Sequence, residues 1–161
     1  MSLSAPLNRQ ENSALVAALV PAYNEAGRIN TVLQALGQVK IIDEIIVIND
    51  GSSDATEADA HQAAGNDPRL IIFRHKKNLG KGQALFTGCS ASQAKYIVML
   101  DADLIGLKPA HIENLISPVI SGDSEMAIGV FKHGNCRADA AQWLCYFDSS
   151  TSFLTSIPLA G

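Results

Sequence analysis

The chain has 161 residues, of which 47% are hydrophobic and 17% charged. That make-up suits one domain with a single real core and excludes a disordered chain. A formal net charge of −4 excludes a general basic field for nucleic acid, so a phosphate-bearing ligand needs local help from backbone amides, one or two lysines or a metal ion.

Residues 1–13 mix Ser, Pro, Asn, Arg, Gln and Glu without period and read as a loose, disordered leader, with the domain proper over 14–161. The apolar run that follows is too short for a secretory signal and leads straight into Pro21. It is expected to be a buried first strand, Leu15–Val20. Beyond it Pro21 can stop the strand, Tyr23 can stack on a base and Glu25 can bind a polar edge. The competing reading is a helix entry capped by Asn24. A helix is predicted near Ile29–Gln38 and a second strand at Glu44–Asn49. Asp50 then opens an Asp-Gly turn and can also accept a hydrogen bond from a ribose or base.

Asp54 is expected to cap the next helix, near Ala55–Ala64, with Glu57 as its capping-box partner. A third strand, Leu70–Arg74, leads to Gly80-Lys81-Gly82, where glycines let backbone amides approach an anion and Lys81 adds charge. The spacing is not that of a Walker A loop. A helix near Gln83–Ser92 and a strand at Tyr96–Leu100 precede Asp101-Ala102-Asp103. A further helix near Ala110–Ser121, kinked or shortened by Pro118, leads to a fifth strand at Met126–Val130. A last helix is expected within 137–155, including Trp143, Tyr146 and Phe147. The apolar flank from Trp143 to Phe153 favours self-association into a homo-oligomer.

Short, nearly continuous apolar strands alternating with helices predict an α/β fold: a mostly parallel sheet of about five strands with helices on both faces. No stretch approaches the roughly 20 apolar residues of a transmembrane segment. The cysteines, Cys89, Cys136 and Cys145, are odd in number and lack Cys-x-x-Cys spacing. They argue against a disulfide framework and a zinc site and for a reducing cytoplasm, where they read as small buried apolar residues.

In such a sheet the ligand crevice lies beyond the carboxyl ends of the strands. The four polar junctions fall on that edge. Asp101 and Asp103 suit a hard cation, since Mg²⁺ or Mn²⁺ takes one or two carboxylates and completes its shell with phosphate oxygens and water. The triplet alone is a weak signal and is more simply read as a turn. Its three companions favour the metal.

These junctions resemble the family 2 glycosyltransferases, whose members carry V-P-x-Y-N-E, V-x-D-G-S-x-D, N-x-G-x-G-x-A and D-x-D in this order. Here they run Val20 to Glu25, Ile48 to Asp54, Asn78 to Ala84 and Asp101 to Asp103. The resemblance implies a Rossmann-like GT-A fold, a UDP- or GDP-linked sugar donor, Mg²⁺ or Mn²⁺, and transfer to an acceptor with inversion. It implies nucleoside contacts from Pro21, Tyr23, Glu25 and Asp50. It further implies donor contacts from Lys81, as in members related to glucosyl-3-phosphoglycerate synthases, and from Asp101 and Ala102, with Asp101 and Asp103 on the metal. Family members usually continue further, so the acceptor portion is expected to be missing here, by truncation or because it comes from elsewhere. The catalytic base is expected beyond residue 161, and the chain alone is expected to be poor or inactive in transfer. Asp123, Glu125, Asp139 and Asp148 read as surface or turn residues.

A non-catalytic nucleotide-sugar binding module or subunit is the alternative. A sugar-phosphate nucleotidyltransferase is more distant, for it would carry a G-x-G-T-R type loop where this chain has Pro21-Ala-Tyr-Asn-Glu25.

Overall fold

In this computed structural model, residues 15–129 and the backbone of 143–147 are described. The elements run β1 (Val16–Ala22), α1 (Ile29–Gly37), β2 (Glu44–Asn49), α2 (Thr56–Ala64), β3 (Leu70–Arg74), α3 (Lys81–Ala91), β4 (Tyr96–Met99), α4 (Pro109–Ile120), β5 (Met126–Gly129) and β6 (Trp143–Phe147). The expected leader, Val130, Asp139, Asp148, Cys136 and the side chains of the 143–153 flank lie outside the described residues.

The sheet has the order β3-β2-β1-β4-β6-β5. β1 pairs in parallel with β2 and β4, and β2 with β3. β6 is antiparallel to both β4 and β5, so β5 points the same way as the first four strands. The mostly parallel α/β sheet is therefore observed, with a reversed strand wedged between β4 and β5. The expected helix around Trp143, Tyr146 and Phe147 is corrected: those residues lie in β6. Trp-Leu-Cys-Tyr-Phe is a short continuous apolar run, which periodicity cannot assign to helix or strand, and its aromatic content suits a strand.

Successive residues of β1 and β2 face opposite sides of the sheet, as strand geometry requires. Ala18, Val20, Ile45 and Val47 belong to the larger core, with residues of α1, α2 and α4. Leu19, Ile46 and Ile48 face α3 through Ala84. Gly88 permits that approach: a Cβ there would stand 2.8 Å from Ile48 Cδ1 and 3.1 Å from Leu19 Cδ2. Cys89 packs on the same side, and burial pushes its thiol up to about 11, consistent with an inert apolar role.

The expectation that Pro21 stops β1 is corrected: the proline lies within the strand, opposite Ile48. Leu19 offers its carbonyl to Leu100 of the β4 side, whereas Ala22 offers its own to Asp50 of the β2 side. Pro21 shares the parity of Leu19, so its missing N–H faces a flank where pairing with β4 has already ended at Leu19 opposite Met99. The proline thus releases one neighbour while the strand continues along the other.

Pro118 sits inside α4, which ends two residues later at Ile120. Pro109 starts that helix, where a missing N–H is harmless. Among the described residues no helix is long and apolar enough to cross a membrane.

Candidate functional site

Because β1 to β4 are parallel, their carboxyl ends open on one edge, and the four junctions are fastened to one another there in series. The first junction is tied to the second by backbone N–H groups. Asn24 donates to Ser52 Oγ at 3.0 Å, Glu25 to Thr56 Oγ1 at 2.8 Å, Ala26 to Asp54 Oδ2 at 3.1 Å and Gly27 to Asp59 Oδ2 at 2.7 Å. Asn24 adopts a positive φ of 55°, which its side chain tolerates, and its Oδ1 accepts from Ser53 N–H at 2.9 Å. It bridges two loops, and α1 has no side-chain cap.

Asp54 is corrected from the helix cap itself to the residue before it. The cap position is Ala55, and Asp54 Oδ1 accepts from the Thr56 N–H at 3.0 Å and from the Thr56 hydroxyl. Glu57 does not close a capping box. Its Oε2 accepts from Asn49 Nδ2 at 2.8 Å and Arg74 Nη1 at 2.6 Å, and these two partners hold its carboxyl below the usual range.

The second junction is tied to the third through Asp50, which is only 3% exposed. Asp50 Oδ1 accepts from Leu79 N–H at 2.9 Å and lies 2.6 Å from His75 Nδ1, and Oδ2 accepts from Gly80 N–H at 2.8 Å. Burial alone would raise this carboxyl, but His75 and the two amides together hold it below the usual range. Gly51 lets the loops meet, for it has φ +74° and a Cβ there would stand 2.4 Å from the Lys77 carbonyl carbon.

The third junction is tied to the fourth by Lys81, whose Nζ lies 2.5 Å from Asp101 Oδ1. Lys81 and Gly82 are not loop residues, as the sequence suggested, but the first turn of α3, with Gly80 as its cap at φ 92°. The amides of that first turn lack helical partners and present positive dipole ends to the rim. Beyond β4 the chain turns at Ala102-Asp103, yet burial still alternates: Leu100, Ala102 and Leu104 are buried in the core, while Asp101 is half-buried and Asp103 exposed. Any part of Ala102 in ligand binding therefore passes through its backbone.

Tyr23 is 47% exposed on the same rim. The Glu25 carboxyl is raised by burial, opposed by Arg28 and pushed further by the charges of Asp103, Asp54 and Asp101. Arg28 Nε lies 2.7 Å from Glu25 Oε2, an ion pair without hydrogen-bond alignment, for that buried oxygen has no aligned donor.

Among the described residues no group of three or more His, Cys, Asp and Glu side chains is placed to hold a metal unaided. Two carboxylates with phosphate oxygens and water nonetheless make a common Mg²⁺ shell. Asp103 accepts no hydrogen bond from the described residues and is open to a cation, whereas Asp101 is already held by Lys81, so a metal on both carboxylates would share Asp101 with that lysine. Asp123 and Glu125 are exposed and lie between α4 and β5, at the amino edge away from this rim.

The model of the family described as "Glycosyl transferase family 2" matches residues 17–148. The chain belongs to glycosyl transferase family 2. An uncharacterized glycosyltransferase of Haemophilus influenzae is 35% identical to it over 122 residues, covering 75% of this chain and 38% of the relative. A glucosyl-3-phosphoglycerate synthase of Mycolicibacterium paratuberculosis is 28% identical, covering 74% and 37%. The chain thus spans less than two fifths of the length of these two relatives. Among solved structures, the Mycobacterium tuberculosis glucosyl-3-phosphoglycerate synthase in complex with Mn²⁺, uridine-diphosphate-glucose and phosphoglyceric acid superposes with a TM-score of 0.61. That match has 26% identity over 70% of this chain and 42% of the other. A mannosyltransferase of Pyrobaculum calidifontis, solved with GDP-Man and Mn²⁺, shares the fold with a TM-score of 0.63 at 22% identity over 72% and 35%. These neighbours bear out the GT-A assignment.

The sequence motifs do not single out His75, Thr87 or Arg74. The signal for His75 was present, since it follows β3 directly, the position that Asp50 holds after β2.

Proposed function

We propose that this chain forms the donor half of a metal-dependent inverting glycosyltransferase that takes a UDP- or GDP-linked sugar in the cytoplasm. The observation that carries this reading is the rim itself, where Lys81 and the first turn of α3 stand against Asp101 while the Asp50 loop adjoins them. The 26% identical relative solved with Mn²⁺ and uridine-diphosphate-glucose supports it.

In this reading Pro21 shapes the nucleoside side of the cleft, Tyr23 stacks on the base, and Glu25 binds a polar edge. Asp50 meets the nucleoside through the lone-pair directions its three protein donors leave open. Lys81, the α3 amides and the backbone around Ala102 hold the diphosphate, and Asp101 and Asp103 hold Mg²⁺ or Mn²⁺. The cation supplies charge neutralisation for a leaving diphosphate. The acceptor hydroxyl must lose its proton to a base, which we place beyond residue 161.

Calorimetric titration with UDP-glucose and GDP-mannose, with and without Mn²⁺, tests the proposal. One donor should bind in a Mn²⁺-dependent way, and the Asp101→Ala, Asp103→Ala double variant should lose at least about a hundredfold in affinity, as expected when charge-assisted ligands are removed. Unchanged binding in the double variant defeats the metal assignment.

A further inference from the structure

His75 lies outside the family motifs, yet it joins two pieces of the rim. Its Nδ1 stands 2.6 Å from Asp50 Oδ1 and its Nε2 stands 2.9 Å from Thr87 Oγ1. Asp50 is ionised and can only accept, so Nδ1 must carry a proton and donate. Thr87 is in the second turn of α3 and is itself fastened back to the Gln83 carbonyl at 3.0 Å. The imidazole therefore spans from the end of β2 to the body of α3.

That span has a consequence for the residues between. Asp50 also receives the Leu79 and Gly80 amides, which immediately precede Lys81. A carboxylate with a charge-assisted or strongly polar donor on one oxygen is fixed in its rotamer, and the amides that depend on it are fixed too. Without His75 the buried Asp50 would keep two donors and could swing, and α3 would lose its hydrogen-bonded link through His75 to the residue after β2.

We infer that His75 is a positioning residue for the donor diphosphate: by holding Asp50 and α3 at a set separation it fixes where the Gly80–Lys81 start of the helix meets Asp101. The inference rests on the donor-site reading above, and it names a residue acting through Asp50 rather than on substrate.

The test uses the 161-residue chain. His75→Phe keeps a flat ring and removes both polar atoms. His75→Asn retains a donor where Nδ1 stood, whereas His75→Gln retains one only near Nε2. Two readouts are taken: amide hydrogen exchange at Leu79 and Gly80 without ligand, and affinity for the nucleotide sugar that wild type binds with Mn²⁺.

Faster exchange at both amides and about tenfold weaker binding are expected for His75→Phe, the size of a lost charge-assisted hydrogen bond. His75→Asn should recover more of both than His75→Gln, an order that a simple packing role would not produce. Should His75→Phe fail to fold, the Asn and Gln pair decides the question alone. Unchanged exchange, equal recovery by Asn and Gln, or unchanged affinity in a binding-competent wild type overturns the inference. If wild type binds no nucleotide sugar at all, the donor-site reading fails instead, and the exchange data still decide whether His75 holds the loop.

Discussion

Lys81 Nζ and Asp101 Oδ1 stand 2.5 Å apart, so the first residue of α3 and the first acidic residue beyond β4 form an ion pair across the rim. The lysine side chain is 58% exposed, and water screens such a pair to a contribution of at most about 1 kcal/mol. A pair so weak for folding is well placed to be shared with an incoming anion. Lys81→Met should therefore change unfolding free energy by less than about 1 kcal/mol while weakening nucleotide-sugar binding about tenfold. Urea unfolding and calorimetry on the same samples separate the two effects, and unchanged affinity would remove Lys81 from the donor site.

Gly51 is expected to tolerate no side chain. Its φ of +74° disfavours any Cβ, and the Cβ would meet the Lys77 carbonyl carbon at 2.4 Å and the Asn78 nitrogen at 2.6 Å, which are backbone atoms that cannot rotate aside. Gly51→Ala should destabilise the protein by about 2 kcal/mol or more, from strained backbone and displaced loops together. Equilibrium urea unfolding measures it.

Arg69 is the counterpart of these ties at the opposite edge of the sheet. Its guanidinium donates to Asp67, to the carbonyls of Val39 and Ile42 at 2.8 and 3.0 Å, and to that of Gly37 at 2.9 Å. A planar five-donor group satisfies these acceptors together, and an ammonium cannot. Arg69→Lys should lose about 2 kcal/mol in urea unfolding, since several carbonyls lose their donor at once. A loss within error would show that water replaces the guanidinium freely.

Asp50 gives the protein a particular response to acid. Its carboxyl is held below its ordinary value of 3.8 in the folded state. A depressed carboxyl contributes stability that is present above 3.8 and lost as pH falls through the lower folded value. Asp50→Asn should be less stable than wild type at pH 7, and the difference should narrow at pH values under 3.8. Urea unfolding at pH 7 and pH 3 checks the sign, and a constant gap would show that the carboxylate charge is unimportant.

Much of the fold was legible because burial on both faces of a parallel sheet leaves unbroken apolar runs. β2 and β3 begin and end where Glu44–Asn49 and Leu70–Arg74 were read. β1 ran on past Pro21 because the cost of a missing N–H depends on which neighbour it faces, and that is a matter of tertiary pairing. The 143–147 strand is not distinguishable from a helix in the sequence, because five apolar residues carry no period that separates the two. At the rim, the types of residue pointed to chemistry but not to partners. Glu57 fits a capping box locally, yet Arg74, 17 residues on, claims its carboxylate. His75 meets Asp50 across 25 positions, a distance that no local pattern encodes.

The serial fastening of the four junctions also bears on the thermodynamics of ligand capture. Ordering a backbone residue on binding consumes about 1–2 kcal/mol of entropy, and a floppy set of loops would spend much of any ligand's interaction energy in this way. Here polar side chains impose that order during folding, so the cleft edge is preorganised. A nucleotide should associate with only a modest entropic penalty, which leaves its contacts free to discriminate one donor from another.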